Sequence, residues 1–190
     1  MQIRKLEENI TVYDNFISPQ EINILLEYAK KSADSDWQEV TYHNEEMLKK
    51  SKTVYEKYQK FKKDWDKTTL LAKNIDILEN IKLKVEKTLG ISFLVTDDIY
   101  RIKKFENGRS IGVHFDNLQN AILELGIVIY LNDDFDGGEI YYPSLNIEYK
   151  PKAGSMIVHP ANKLYSHGVK EVFGNTRYCL AFFAIKINIL

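Results

Sequence analysis

His114 and Asp116 stand two residues apart in the segment GVHFDNLQN, and in an extended chain residues two apart point to the same side. An imidazole and a carboxylate so placed can grip one divalent ion together, or they can be an ordinary polar pair at the rim of a sheet. The pair gains meaning from His167, far down the chain in LYSHGVKEV, and from Arg177 ten residues beyond it. Two imidazoles and one carboxylate on one face of an ion leave three coordination positions open, the arrangement of non-haem Fe(II) sites. Arg177 then answers a second need. A dicarboxylate that chelates the ion through a 2-oxo acid leaves its far carboxylate inside the protein, where a permanent cation with fixed donors must meet it. Tyr130, fourteen residues after Asp116 in GIVIYLNDD, could donate its hydroxyl to the same group. Burying an arginine without an anion is costly, so its place in an apolar strand speaks for a ligand. The alternative is that Arg177 merely opens its strand and faces solvent.

The elements that must bring these residues together fall into two halves. From residue 99 onward, short runs of β-branched and aromatic residues are punctuated by Gly, Asn, Asp and Pro, which predicts strands over 99–105, 111–115, 123–131, 139–142, 146–149, 155–158, 166–172 and 177–187. Eight such strands predict a jelly roll of two facing antiparallel sheets. The first half reads helical. Ser18, Pro19 and Glu21 form the pattern of a capping box with proline at the first helical position, followed by Ile22, Leu25, Leu26 and Ala29 at helical spacing. A second helix is predicted from Thr68 or Thr69, with Leu71, Ile75, Leu78, Ile81, Val85 and Leu89 on its apolar face and Gly90 as its stop. The expected class is α+β: a double-stranded β-helix core with the N-terminal helices packed on one outer sheet face. Residues 1–190 are read as one domain, with helical support over 1–90 and the jelly-roll core over 91–190. Within the support, 37–67 is a charged insertion carrying Trp37, Tyr42, Tyr55, Tyr58, Phe61 and Trp65, either packed structure or a lid over a substrate groove.

Other chemistry-bearing residues read more plainly. The single cysteine, Cys179, lies in an apolar run and reads as a buried small hydrophobe. His159 in IVHPAN could point inward near the iron, but reads first as a strand-end histidine satisfied by backbone, and His43 reads as solvated. Gly137 and Gly138 read as the turn before a strand, since no lysine or helix follows in phosphate-loop register. The run NDDFDGG lacks the twelfth-position glutamate of an EF-hand and also reads as a turn. Trp37 and Trp65 fit a core or a substrate platform equally.

Composition narrows the partners. A formal net charge of −1 over 190 residues argues against a large nucleic-acid footprint. No apolar run reaches the roughly 18 residues that span a bilayer, and MQIRKLEENI lacks an apolar signal segment. The expectation is a soluble, cytoplasmic protein without nucleic-acid or membrane partners.

The fragments HFD, YLN, GGEIYY, PKAGSMIVHP, HGVKEV and GNTRY follow one another in an order and spacing that resembles the 2-oxoglutarate and Fe(II)-dependent dioxygenases, in particular their prolyl 4-hydroxylase-like branch. ITVYDNFISPQEINILLEYAKKS resembles the branch's leading strand and first helix, so the likeness spans most of the chain outside 37–67. Each fragment alone is weak, and the ordered set is specific. The resemblance implies His114, Asp116 and His167 as iron ligands, with Arg177 and Tyr130 on the distal carboxylate of 2-oxoglutarate. It further implies O2 as co-substrate and ascorbate as reductant. Arginine stands where this branch often has lysine. Where the branch often has tyrosines nine and three residues before the first ligand, this chain has Phe105 and Ile111, with Gly108 kept, so the contacts of those phenols are not implied.

The implied activity is hydroxylation of a C–H bond in a peptide or protein. The alternatives are the same chemistry on a free amino acid or small metabolite, and a non-catalytic jelly-roll binding module. The carboxylate at Asp116 argues against halogenation, in which that position is vacated for chloride. Absence of a second downstream arginine argues against a nucleic-acid demethylase.

Overall fold

The computed structural model describes residues 1–38, 69–72, 76–91, 100–117 and 124–184. Its elements run β1 (Gln2–Glu7), β2 (Ile10–Asp14), α1 (Pro19–Lys31), β3 (Trp37–Gln38), β4 (Thr69–Ala72), α2 (Asp76–Leu89), β5 (Tyr100–Phe105), β6 (Ile111–His114), β7 (Leu125–Tyr130), β8 (Phe135–Gly137), β9 (Ile140–Tyr142), β10 (Ile147–Tyr149), β11 (Met156–Pro160), β12 (His167–Val169), β13 (Val172–Gly174) and β14 (Arg177–Ala184). Among the described residues these strands form an eight-stranded sheet, β1-β2-β11-β7-β14-β5-β4-β3, a four-stranded sheet, β10-β9-β12-β6, and the pair β13-β8. Their pairings are antiparallel.

The alternation within strands sorts the side chains into two cores. One lies on the outer face of the large sheet: Ile127 and Ile129 of β7, Leu180 and Phe182 of β14, and Met156 and Val158 of β11 pack with Leu25 and Ala29 of α1 and Leu78, Ile81 and Val85 of α2. The other fills the space between the sheets, with Val12, Phe105, Tyr130, Ile157 and Cys179 from the large sheet against Ile140, Tyr142 and Tyr149 from the small one. This is the jelly-roll-like α+β architecture that the sequence predicts, with both described helices on one outer face. No described helix is long and apolar enough to cross a membrane.

Helix α1 starts where its capping box says it should. Glu21 N donates to Ser18 Oγ at 3.2 Å, and Ser18 N donates to Glu21 Oε2 at 2.6 Å. Two otherwise orphaned amides are thereby satisfied. Ser18→Ala is expected to lower stability by about 1 kcal/mol, read as a lower denaturation midpoint at unchanged slope; an unchanged midpoint would show the cap to be idle.

The second helix begins later than the periodicity predicts. Residues 69–72 form β4 instead, pairing with β5 from Thr69 opposite Lys103 to Ala72 opposite Tyr100. Thr69, Leu70 and Ala72 are buried there, so pairing at a sheet edge overrides a local helical pattern. Strand 166–172 is likewise two strands in different sheets. Between them Lys170 N donates to Glu139 O at 2.9 Å, and Gly138 N donates to Glu171 O at 3.1 Å. Gly137 permits that crossing: its φ is 64°, and a Cβ there would run into the Glu171 carbonyl, so only glycine fits. Among the unpredicted strands, β1 lengthens the large sheet by a hairpin and β8 sits in the run read as a turn. Of the aromatic insertion, 39–67 lies outside the described residues, with His43 and Trp65. Trp37 belongs to the outer core, tilted against Tyr178 at 6.3 Å.

Candidate active site

β6 and β12 are neighbours, and their register puts His167 directly opposite His114. The two rings lie 4.6 Å apart. β6 ends at His114, so Asp116 sits in the turn just beyond the strand, a residue earlier than the predicted end. That turn is pinned by Asn117 N donating to Ala161 O at 3.0 Å. The result brings three sequence-predicted residues together: one ligand atom each from His114, Asp116 and His167 lie within 4.8 Å of one another.

Hydrogen bonds fix what these atoms offer. His114 Nδ1 faces Gly112 O at 3.0 Å and His167 Nδ1 faces Tyr165 O at 3.1 Å. A carbonyl partner requires the proton on Nδ1, which leaves each Nε2 with a lone pair. Both lone pairs face one carboxylate oxygen: Asp116 Oδ1 is 3.7 Å from His114 Nε2 and 3.9 Å from His167 Nε2. Those separations are too long for hydrogen bonds. Three converging electron-pair donors are a fit for a cation, and two imidazoles with one carboxylate on one side suit Fe(II) with open positions.

Ionisation agrees. Burial holds His114 down to about 4, helped by His167, and holds His167 down to about 4. Burial pushes Asp116 up to about 6, against the pull of His114 and Lys103. At neutral pH the set is therefore two neutral imidazoles and a carboxylate, ready for a metal with little proton release. Asp116 destabilises the metal-free fold in return. Its folded carboxyl binds a proton more tightly than its ordinary value of 3.8, so stability is lost as pH rises from about 4 to about 6, and the deficit persists above that. At pH 8, where the histidines are neutral folded or unfolded, Asp116→Asn is expected to stabilise the metal-free protein by about 2 kcal/mol. Chemical denaturation checks this, and a destabilised variant would contradict it.

Arg177 is the first residue of β14 yet only 2% exposed, so it does not face solvent. β14 pairs it with Phe105, and its guanidinium carbon lies 5.0 Å from the Phe105 ring and 5.1 Å from the Tyr130 ring. Nη1 makes a weak contact with Cys179 Sγ at 3.5 Å. Among the described residues Nε has no hydrogen-bond partner, and neither does the Tyr130 hydroxyl. The guanidinium pulls the Tyr130 phenol down somewhat, but burial dominates and raises it; no hydrogen bond of acceptable geometry joins the two. Two buried donors without acceptors, side by side, fit a carboxylate. Phe105 and Ile111, in place of the expected tyrosines, line the same cavity as His114, Asp116, His167 and Arg177.

Two residues near the triad, Lys103 and Tyr142, escaped the sequence reading. Lys103, on the inward face of β5, is held down to about 8 by burial and by Arg101, against Cys179 and Asp116. The inward alternation of Arg101, Lys103 and Phe105 was the available signal. Tyr142 stands 5.6 Å from the rings of both His159 and His167, with its hydroxyl buried and unpartnered. His159 is satisfied by backbone at Nδ1 only, 3.2 Å from Pro160 O; its ring turns inward and lies 4.4 Å from that of His167.

Residues 100–185 match the family model described as the 2OG-Fe(II) oxygenase superfamily. No curated protein sequence matches the chain. Among solved structures, the viral collagen prolyl hydroxylase vCPH from Paramecium Bursaria Chlorella virus-1, in its 2OG complex, is 15% identical, with 95% of this chain and 97% of that chain covered and a TM-score of 0.64. A Pseudomonas putida prolyl-4-hydroxylase is 14% identical, with 95% and 94% covered and a TM-score of 0.59. A Trichoplax adhaerens prolyl hydroxylase in complex with a hypoxia inducible factor peptide fragment is 14% identical, with 94% and 84% covered and a TM-score of 0.54. At such identities the structural likeness speaks for the fold, which is that of the prolyl 4-hydroxylase-like branch, while the family match covers the strands that carry the triad. That match makes the segment 100–185 a 2-oxoglutarate and Fe(II)-dependent oxygenase domain. It is a dioxygenase that uses Fe(II), 2-oxoglutarate and O2.

Proposed function

We propose that His114, Asp116 and His167 hold the iron, that Arg177 and Tyr130 hold the distal carboxylate of 2-oxoglutarate, and that residues 1–190 act as one catalytic domain hydroxylating a C–H bond in a peptide or protein. The observation that carries the site reading is that Arg177 lines the cavity that the triad also lines, while its Nε and the hydroxyl of the neighbouring Tyr130 are buried without acceptors among the described residues. A binding module has no physical reason to keep a desolvated cation and a metal-ligand face in one trough.

When bound, the iron, 2-oxoglutarate and O2 supply the chemistry: oxidative decarboxylation to succinate and CO2, with the second oxygen atom inserted into the substrate C–H bond. The chain supplies geometry and charge. His114 and His167 present neutral Nε2 lone pairs held by backbone carbonyls, and Asp116 supplies the anion. Arg177 and Tyr130 orient the co-substrate, and the apolar walls of Phe105, Ile111, Ile140 and Val169 exclude water. The peptide reading draws support from the fold shared with prolyl hydroxylases.

Lys103 favours a second reading. An amine lining the cavity suits a small substrate with its own carboxylate, such as a free amino acid. The experiment combines both questions. Fe(II) and 2-oxoglutarate added without O2 should give a weak visible charge-transfer band, and air should then release succinate with a substrate panel. Release with peptides supports the first reading, and release with free amino acids alone supports the second. No band and no succinate at saturating concentrations would sink the enzyme site as drawn.

A further inference from the structure

One buried polar atom beside the triad has no part in holding iron or co-substrate. His159, on β11, is 1% exposed, and its Nε2 has no hydrogen-bond partner among the described residues. It lies outside the trio of mutually close ligand atoms. It faces Asp116 instead: Nε2 is 3.9 Å from Oδ2, while Oδ1 is the oxygen turned to His114 and His167. The carboxylate is thus divided, one oxygen to the triad and the other to His159.

Both atoms facing each other are acceptors. His159 Nδ1 donates to Pro160 O, which leaves a lone pair on Nε2, and an ionised Oδ2 carries only lone pairs. Two acceptors at this separation are reconciled by one small molecule that donates to each. A place for it exists at Gly126, on the inward face of β7. A Cβ on Gly126 would collide with Asp116 Oδ2 and stand 2.6 Å from His159 Cε1 and 2.8 Å from Nε2. Asp116, Gly126 and His159 line one cavity, and its open space beside them takes such a donor, whereas an added Cβ would displace the carboxylate and the imidazole themselves.

We propose that His159 is a positioning residue for the metal: through one water seated over Gly126 it holds the outer oxygen of Asp116 and keeps the inner oxygen turned to the ion. This rests on the triad being the iron site. Removing the acceptor or filling the seat lets the carboxylate rotate, which loosens the metal without removing a ligand.

The test uses Co(II), which binds as Fe(II) does without turnover, titrated into the whole chain with no 2-oxoglutarate and followed by its visible spectrum. His159→Phe and Gly126→Ala are each expected to weaken binding about tenfold and to change the spectrum. His159→Gln, which keeps an acceptor, should recover most of the affinity. Unchanged affinity in His159→Phe overturns the proposal, and so does failure of His159→Gln to rescue. Should Gly126→Ala not fold, the Phe and Gln pair still decides. Co(II) binding that survives His114→Ala overturns the triad itself, whereas binding lost there but unchanged in His159→Phe overturns only the role of His159.

Discussion

His167→Ala is expected to abolish succinate formation and to weaken Fe(II) binding by more than about 100-fold. The reason lies in the register of β6 and β12. His167 and His114 are opposite members of one antiparallel pair, and their Nε2 lone pairs close on the same oxygen of Asp116. Two donors on adjacent strands and a third from the turn make a face that no two of them make alone. Groups that only support a ligand typically cost about 10–100-fold in metal affinity when removed, so loss of a ligand must exceed that range. Alanine also leaves a hole in the inner layer between Tyr142 and His159, whose rings pack on His167. For that reason His167→Asn, closer in volume, should accompany it. Both should lose turnover, and the asparagine variant should keep its melting temperature. Turnover above one tenth of the native rate in a folded variant would remove His167 from the metal.

The residues of that face were legible because their chemistry is carried by residue type and short spacing. HFD and HGV need no fold to announce an imidazole and a carboxylate within reach of one ion, and period-two alternation from residue 99 onward is what a two-sheet core requires. The rest was hidden where meaning depends on distant partners. Thr69 to Ala72 look helical until β5 offers them an edge. Gly126 looks like an ordinary strand residue until His159 and Asp116 press on its missing side chain. The strand over 166–172 divides because Glu171 must cross Gly137, a contact no local pattern encodes. His159 meets both of its readings at once: backbone satisfies one nitrogen, and the ring still turns inward beside His167, a combination that only the packing of β11 decides.

Arg177→Met is expected to raise the KM for 2-oxoglutarate by about 100-fold or more while leaving the metal-free, co-substrate-free protein as stable as the native one or more so. The two effects have opposite signs because the guanidinium is a burden until its anion arrives. Without co-substrate it sits at 2% exposure between two aromatic rings, with Nε unpartnered and a sulfur as its one hydrogen-bond acceptor among the described residues. Removing a buried charge of this kind and keeping its volume is neutral or stabilising. With co-substrate, charge-assisted hydrogen bonds contribute about 1.5–3 kcal/mol each, and two of them correspond to about 10²–10⁴ in affinity. Tyr130→Phe removes one neutral donor from the same place and should cost less, about tenfold. A thermal-shift titration reads both sides at once. Native protein with a divalent ion should gain about 2.7 kcal/mol at 2-oxoglutarate 100 times its Kd, and the methionine variant should start no lower and gain almost nothing. Arg177→Lys keeps the charge but loses the paired donors, so it should fall between the two. A methionine variant that loses stability yet still binds 2-oxoglutarate normally would mean that Arg177 braces the barrel and the co-substrate carboxylate lies elsewhere.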